Sequence, residues 1–406
     1  MEARSVLTSA KRMSGIPFSG IRKVFERVGE LEKQGKPVIN LSLGRPDFDT
    51  PIHIKEAAKL ALDQGKVHYT SNYGLESLRE AIALKMVKDN GVPANARNVI
   101  VTTGANEAIF LAMMAFLDPG SEVLIPDPAW PHYEYCAHLA GARPVHMPLP
   151  WKGQPFDLAL IESLVTPRTR MLVLNSPHNP TGSVLDKRAL QELASLAIRR
   201  DLLVLADEIY EKLVYDDATH VSVASLPGMW PRTITVNGFS KAYAMTGWRL
   251  GYVVADERFI SAMIRVHQYT VTCATSFAQY GAVAAITGPQ QCVADMRREF
   301  DRRRRVLLDA FAVDTSVSVI KPSGAFYCML DIGGLGMGSA HAASFFLNEA
   351  GVAMVPGLVF GPRGEGYLRL AYSNSLDNVV EAARRILVAA ERAPGTPMAA
   401  REDPQQ

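Results

Sequence analysis

Residues 237–252 read NGFSKAYAMTGWRLGY and run into the apolar VVA. Lys241 stands near the centre, Ser240 precedes it, and Arg249 follows between Gly247 and Gly251. A lysine amine is a poor nucleophile while protonated, but a dry pocket with cations nearby lowers its pKa until it can attack a carbonyl. Arg249 is such a cation, and the planar fork of its guanidinium suits a phosphate. The plainer alternative is a surface lysine followed by an arginine whose stem packs on apolar residues. The surrounding sequence has to choose between them.

Around this turn, short apolar runs recur: NVIVTT, EVLIPD, RPVHMP, RMLVLNS, LLVLADE, TITVNG and RLGYVVA, with helical patterns between most of them. Continuous Val, Ile and Leu runs bounded by Gly, Pro and Asp suit a mainly parallel sheet buried on both faces. Their alternation with helices predicts a large α/β doubly wound domain over residues 51–288, built on a mainly parallel seven-stranded sheet. Functional residues in such sheets gather at the carboxyl ends of the strands, where the polar clusters of this chain fall.

Upstream, helical spacing runs from Phe18 to Glu32, and PVINLSLG is a short strand ending in a loop at Gly44 to Asp47. HIKEAAKLALDQG and SLREAIALKMVKDNG are helices closed by Gly65 and Gly91. Beyond Gly288 follow one long helix (Gln290 to Phe311), SVSVIKPSGAFYCMLDI, a helix, VAMVPG, GYLRLAYS and a last helix to about Ala390. This pattern predicts a smaller α+β domain over residues 289–390, joined by the N-terminal segment 1–50. The Pro-rich polar tail 391–406 reads as disordered.

Composition is that of an ordinary globular chain, and a formal net charge of +2 points to neither nucleic acid nor membrane. The basic run Arg302 to Arg305 reads as a solvated helix face. Cys136, Cys273, Cys292 and Cys328 lack the spacing of a metal site or disulfide framework and read as buried apolar residues in a reducing compartment. No signal-peptide core or membrane-spanning run is seen, so a cytoplasmic protein is expected.

Several polar residues stand at strand ends. The backbone amides of Gly104, Ala105 and Asn106 open a helix, a ready anion site. Trp130 is placed to lie on a flat heteroaromatic ring or to pack on the next helix. Asn179 sits in a Pro-Gly turn. Asp207 ends the most apolar strand, where a carboxylate is costly unless paired, and is a better candidate than Glu208, read as exposed; Tyr210 follows it. Arg369 lies inside an apolar strand, for an interdomain salt bridge or for a substrate carboxylate.

These residues, with Lys241 and Arg249, stand in the order and near the spacings of the class I and II aminotransferases, which the chain resembles from about Ser19 to Ala390. GRPDFDTP resembles the family's substrate-side glycine loop, HYTSNYG its cofactor-side tyrosine loop and PSGAFY its small-domain entry. The resemblance implies fold type I and pyridoxal 5′-phosphate (PLP) held as an aldimine by Lys241, which also serves as general base and acid. Asp207 would pair with the pyridine nitrogen, and Tyr210 and Asn179 would hydrogen-bond the phenolic oxygen. Trp130 would stack on the ring. Arg249, Ser240, Asn106 and the amides near Ala105 would hold the phosphate. Gly44 and Arg369 would receive the substrate's α-carboxylate, with Trp130 and Asn179 beside it. Tyr69 would reach the phosphate of a neighbouring subunit, which implies a homodimer with shared active sites. The implied reaction moves an amino group from an L-α-amino acid to a 2-oxo acid by a ping-pong cycle. No metal is implied.

Two positions depart from the family pattern. Gly238 stands where some relatives carry a second phosphate-binding serine, and Asn106 where some aspartate-specific bacterial relatives carry a lysine for the distal carboxylate. Arg45, and less plausibly Arg22 or Arg265, could replace that lysine. A lyase, cyclase or oxidase of specialised metabolism on the same fold is the alternative enzyme reading. A PLP-binding regulator would carry a DNA-binding module in front, for which about 18 residues are too few. A dinucleotide enzyme is disfavoured because no G-x-G-x-x-G follows a predicted strand.

Overall fold

Each of the seven apolar runs forms a strand: β1 (Val99–Thr102), β2 (Glu122–Asp127), β3 (Arg143–Pro148), β4 (Thr169–Asn175), β5 (Leu203–Asp207), β6 (Thr233–Gly238) and β7 (Gly251–Val254). The structure is a computed structural model that describes residues 9–154, 156–312 and 316–393. The strands form one sheet in the order β1-β7-β6-β5-β4-β2-β3. β7 is antiparallel to both its neighbours, and the other pairings are parallel. Every residue of β1, β2, β6 and β7 is buried, as coverage on both faces requires. Successive side chains enter different cores: Ile100, Val123 and Ile125 pack in one cluster, Val99 and Val101 in a second, and Leu124 in a third. A fully buried Val, Leu or Ile contributes about 2 kcal/mol, so this alternation makes a one-residue slip costly. The edge strand β3, which carries Arg143 and His146, is only partly buried.

A second, antiparallel sheet has the order β10-β11-β9-β8, from β8 (Ser318–Ile320), β9 (Tyr327–Asp331), β10 (Val355–Pro356) and β11 (Tyr367–Ala371). PVINLSLG contributes only Ile39–Asn40, which pairs in parallel with Val352–Ala353. The first three α-helices are Gly20–Lys33, capped by the Ser19 side chain, Ile52–Asp63, and Glu76–Asn90, which ends on left-handed Gly91. The long helix is Gln291–Ala310, and the last is Leu376–Ala390. We propose the division into a large body over 51–288 and a smaller one over 289–390 joined by the N-terminal segment. In support, Ile39 and Leu41 share an apolar cluster with residues drawn mostly from 296–393. The tail reading falls, from residue 394 onward, outside the described residues.

Two expectations are corrected. Arg303 and Arg304 are not on a solvated face: they are 5 % and 1 % exposed, while Arg302 and Arg305 remain exposed. Arg304 donates to Asp301 (2.8 Å), Asp216 (2.8 Å) and the Pro322 carbonyl (3.0 Å), and lies over the Tyr215 ring. Arg303 pairs with Asp47 and Glu299. Asp47 and Asp216 come from distant parts of the chain, so helix periodicity alone could not reveal them. Of the cysteines, Cys136 and Cys328 are buried whereas Cys273 and Cys292 are partly exposed, and all four are free.

Candidate active site

The carboxyl ends of β4, β5 and β6 and the turn between β6 and β7 converge on a cleft of ≈ 340 Å³, beside residues from β9 and β11. It is lined by Gly44, Ala105, Asn106, Trp130, Asn179, Asp207, Tyr210, Ser240, Lys241, Arg249 and Arg369. Of the expected site residues, only Gly104 and Tyr69 are missing from that lining. Gly104 stands directly behind it: at φ +82°, an added Cβ would come 2.6 Å from Arg249 Nη2, so a side chain there would displace the guanidinium. Tyr69 is 88 % exposed and lies on a separate hollow with Lys66, His68 and Arg79.

Lys241 Nζ donates to the Gly44 carbonyl (2.6 Å) and lies over the rings of Tyr210 and Phe326. Burial, reinforced by the positive charges of Arg369 and Arg249 and opposed by Asp207, brings its pKa down to about 7. An amine in that range is substantially neutral near neutral pH and so nucleophilic. Gly44 allows this approach because an added Cβ would sit 2.0 Å from the Tyr327 hydroxyl.

Asp207 is 2 % exposed and accepts from Tyr133 Oη (2.7 Å) and the Ile209 amide (3.2 Å). Burial pushes its pKa up to about 6 despite these two donors. A buried carboxylate in this state gains from a cationic N–H partner. Glu208 is corrected: it is also buried, accepting from Ser222 Oγ (3.0 Å) and the Val223 amide (3.0 Å), with His220 at 3.2 Å. These local bonds satisfy it, whereas Asp207 faces the cleft.

Arg369 is 2 % exposed and forms no ion pair among the described residues. Its Nη1 donates to Asn179 Oδ1 (3.1 Å) and its Nη2 to the Ser42 carbonyl (2.7 Å), while Nε is buried without a partner. Its guanidinium lies over the rings of Tyr327 (4.6 Å) and Phe360 (4.7 Å). Among the described residues the interdomain salt bridge is therefore absent. A desolvated cation with only neutral partners is a receptor for an anion. Arg249, held in a left-handed conformation, bonds only the Thr246 carbonyl and forms no ion pair among the described residues. Trp130 packs edge-on to Tyr133 and close to His132.

Six residues of the cleft escaped the sequence reading: Ile21, Ile209 and Thr246, and three that make side-chain hydrogen bonds, Tyr133, Asn175 and Tyr327. Tyr133 lies within the PDPAWPHYEY segment that carries Trp130, Asn175 Oδ1 accepts from the Asn179 amide, and Tyr327 Oη bonds Tyr210 Oη at 2.9 Å. Arg45 lines the mouth, exposed and without an ion pair among the described residues; Arg22 and Arg265 are exposed and do not line it. At Gly238 an added Cβ would meet Gly251 Cα at 2.9 Å, so a serine would not fit this backbone.

The chain matches aminotransferase class I and II over residues 36–386. It is 44 % identical to the aspartate aminotransferase of Pyrococcus abyssi, over 94 % of this chain and 97 % of that one. It is 42 % identical to aromatic-amino-acid aminotransferase 2 of Thermococcus litoralis, over 92 % and 96 %. The structure of the Thermus thermophilus aspartate aminotransferase with maleate superposes with a TM-score of 0.89 at 38 % identity, covering 94 % of this chain and 99 % of that one. Agreement of this extent, on the α/β fold and cleft described above, makes the chain an enzyme belonging to the class I and II aminotransferase family.

Proposed function

We propose that PLP, the cofactor this family implies, is held in the Lys241 cleft, and that the enzyme moves amino groups from L-α-amino acids whose side chains are acidic or aromatic. The observation that carries the reading is the arrangement of three basic side chains, Lys241, Arg249 and Arg369, around one buried carboxylate, Asp207, with neither arginine in an ion pair among the described residues. The donor set fits the cofactor: a depressed lysine for its aldehyde, an unpaired arginine and a helix N-terminus for its phosphate, and a buried acid for its ring nitrogen. When bound, PLP supplies an electron sink for the bond broken at the substrate's Cα.

The chain's own residues do the rest. Asp207 would keep a positive charge on the ring nitrogen, and Tyr133, which donates to it, would hold the carboxylate for that contact. Arg369 orients the amino acid through its α-carboxylate, with Asn179 and Ser42 holding the guanidinium in place. Lys241 Nζ takes the proton that leaves Cα. Tyr210, bonded to Tyr327, would offer a hydroxyl to the phenolic oxygen, and Trp130 would offer a flat face to the ring. At the mouth, Arg45 presents a cation and Ile21 an apolar surface, which suits acidic and aromatic side chains. Relatives described as aspartate and aromatic-amino-acid aminotransferases support that choice.

A homodimer completing the site through Tyr69 belongs to the same proposal. Its support is the exposure of the large apolar or aromatic side chains Phe18, Tyr69 and Tyr269, each above 85 %, as expected of residues that a second copy covers. A cytoplasmic location is proposed as well, consistent with four free cysteines; among the described residues no helix is long and apolar enough to cross a membrane. The test is the absorbance spectrum of the purified protein, with amino acids added singly. A cofactor band that aspartate or an aromatic amino acid converts, and that a 2-oxo acid restores, is expected. A band that neither donor class converts overturns the substrate proposal, and no band after reconstitution overturns the cofactor assignment.

A further inference from the structure

The basic run on the long helix has a second consequence, because Arg303 reaches the loop that braces Lys241 and Arg369. Residues 42–47 supply the Ser42 carbonyl to Arg369, the Gly44 carbonyl to Lys241, and Arg45 to the mouth of the cleft. At the far end of that loop Asp47 Oδ1 accepts from Arg303 Nη1 at 2.7 Å, and Arg303 Nε is held in turn by Glu299 Oε1 at 3.0 Å. Phe48 packs edge-on against Phe300, with ring centroids 5.4 Å apart, and the Arg303 guanidinium covers both rings, at 5.1 and 5.7 Å. The next anchor belongs to the lysine turn: Thr50 Oγ1 donates to the Ala244 carbonyl (2.8 Å) and accepts from Trp248 Nε1 (3.1 Å).

We propose that Asp47 and Arg303 are positioning residues for the amino-acid site: their ion pair ties the 42–47 loop to the long helix and thereby sets the affinity for the amino donor. The inference rests on the reading of Arg369 as the carboxylate receptor. Neither residue lines the cleft. The Arg303 side chain is 7 % exposed and its fork also holds Glu299, so the pair is better desolvated and better fixed than the exposed pairs of the surface, which contribute little. Loss of the tie frees the loop to shift, and displacement of orienting groups by about an ångström is enough to cost up to about a hundredfold.

The test uses the holoenzyme. Asp47→Asn removes the tie while leaving Arg303 paired with Glu299, and is the variant expected to fold. Its KM for the amino donor rises about tenfold, kcat at saturation changes far less, and affinity for PLP, read by absorbance titration, is unchanged. Arg303→Lys, which keeps a charge for Asp47, shows a smaller rise in KM than Arg303→Met. A KM that stays at the parent value in Asp47→Asn, or a fall in PLP affinity and kcat that matches the rise in KM, overturns the inference. Arg369→Lys is the control for the reading beneath it. If its KM rises and that of Asp47→Asn does not, the positioning role alone fails; if neither rises, both fail; if only Asp47→Asn responds, the reading of Arg369 falls and the inference resting on it falls too.

Discussion

Arg369 and Arg304 are buried alike, at 2 % and 1 % exposure, but one is finished by the fold and the other is not. Around Arg304 the carboxylates of Asp301 and Asp216 outweigh burial and hold its pKa above the usual arginine value. Around Arg369 the partners are an amide oxygen, a carbonyl and two aromatic faces, and burial lowers its pKa. Leaving an ion desolvated without a counter-charge costs several kcal/mol. A fold that spends stability this way at one arginine and not at the other marks where an anion is to be received.

The change that should strike hardest is Lys241→Ala, because it removes the amine for which the unneutralised charges are arranged. Turnover should fall by about four orders of magnitude or more, while PLP still binds through Arg249 and Asp207. Parent-like activity in this variant would end the mechanism.

The two arginines can then be set against each other. Arg369→Met should lower kcat/KM for amino acids by about a hundredfold to a thousandfold with no loss of melting temperature, since the lost partner is the substrate's carboxylate. Arg304→Met should do the reverse, costing about 2 kcal/mol in denaturant unfolding because it takes the buried donor from the Pro322 carbonyl, Asp301 and Asp216, although Arg305 and Lys321 still hold the two acids, with kcat/KM within about threefold of the parent. Exchanged outcomes would break the comparison.

A smaller effect is expected at Tyr133. Tyr133→Phe removes one of the two donors that oppose burial at Asp207 and should lower kcat about tenfold. The gentlest probe is pH. In the cofactor-free enzyme the rate of Lys241 modification by an amine reagent should rise with a midpoint near 7. Because the folded lysine holds its proton less tightly than the unfolded chain, this group adds stability as pH climbs from about 7 towards 10.5. A midpoint near 10.5 would mean that the pocket does not desolvate the amine.

The seven strands were legible because each is a run of Val, Ile and Leu closed by a turn residue, and a sheet covered on both faces demands that pattern. Asp207 and Arg369 were legible for the opposite reason, as charges placed where apolar residues belong, and Lys241 was legible by its spacing from Ser240 and Arg249. Tyr133, Asn175 and Tyr327 were not, since their roles come from partners up to 117 positions away, as with Tyr327 and Tyr210, and an aromatic or amide in a buried run carries no mark of its own. Glu208 was misjudged for want of Ser222 and Val223, and Arg303 for want of Asp47. Spacing shows which face of a helix a residue occupies but not which acid will arrive there.

The antiparallel insertion of β7 has a kinetic meaning. Since β6 and β7 are paired neighbours, Gly238 opposite Gly251, the segment between them is a loop whose ends are fused by the sheet. Lys241, proposed for one end of the cofactor, and Arg249, proposed for the other, therefore belong to one pre-closed ring of chain. Its closure entropy is already spent when the sheet folds, so capturing the cofactor requires no long stretch of backbone to be ordered. Loading should run at nearly the rate of encounter, with the sheet's amide-exchange protection the same before and after.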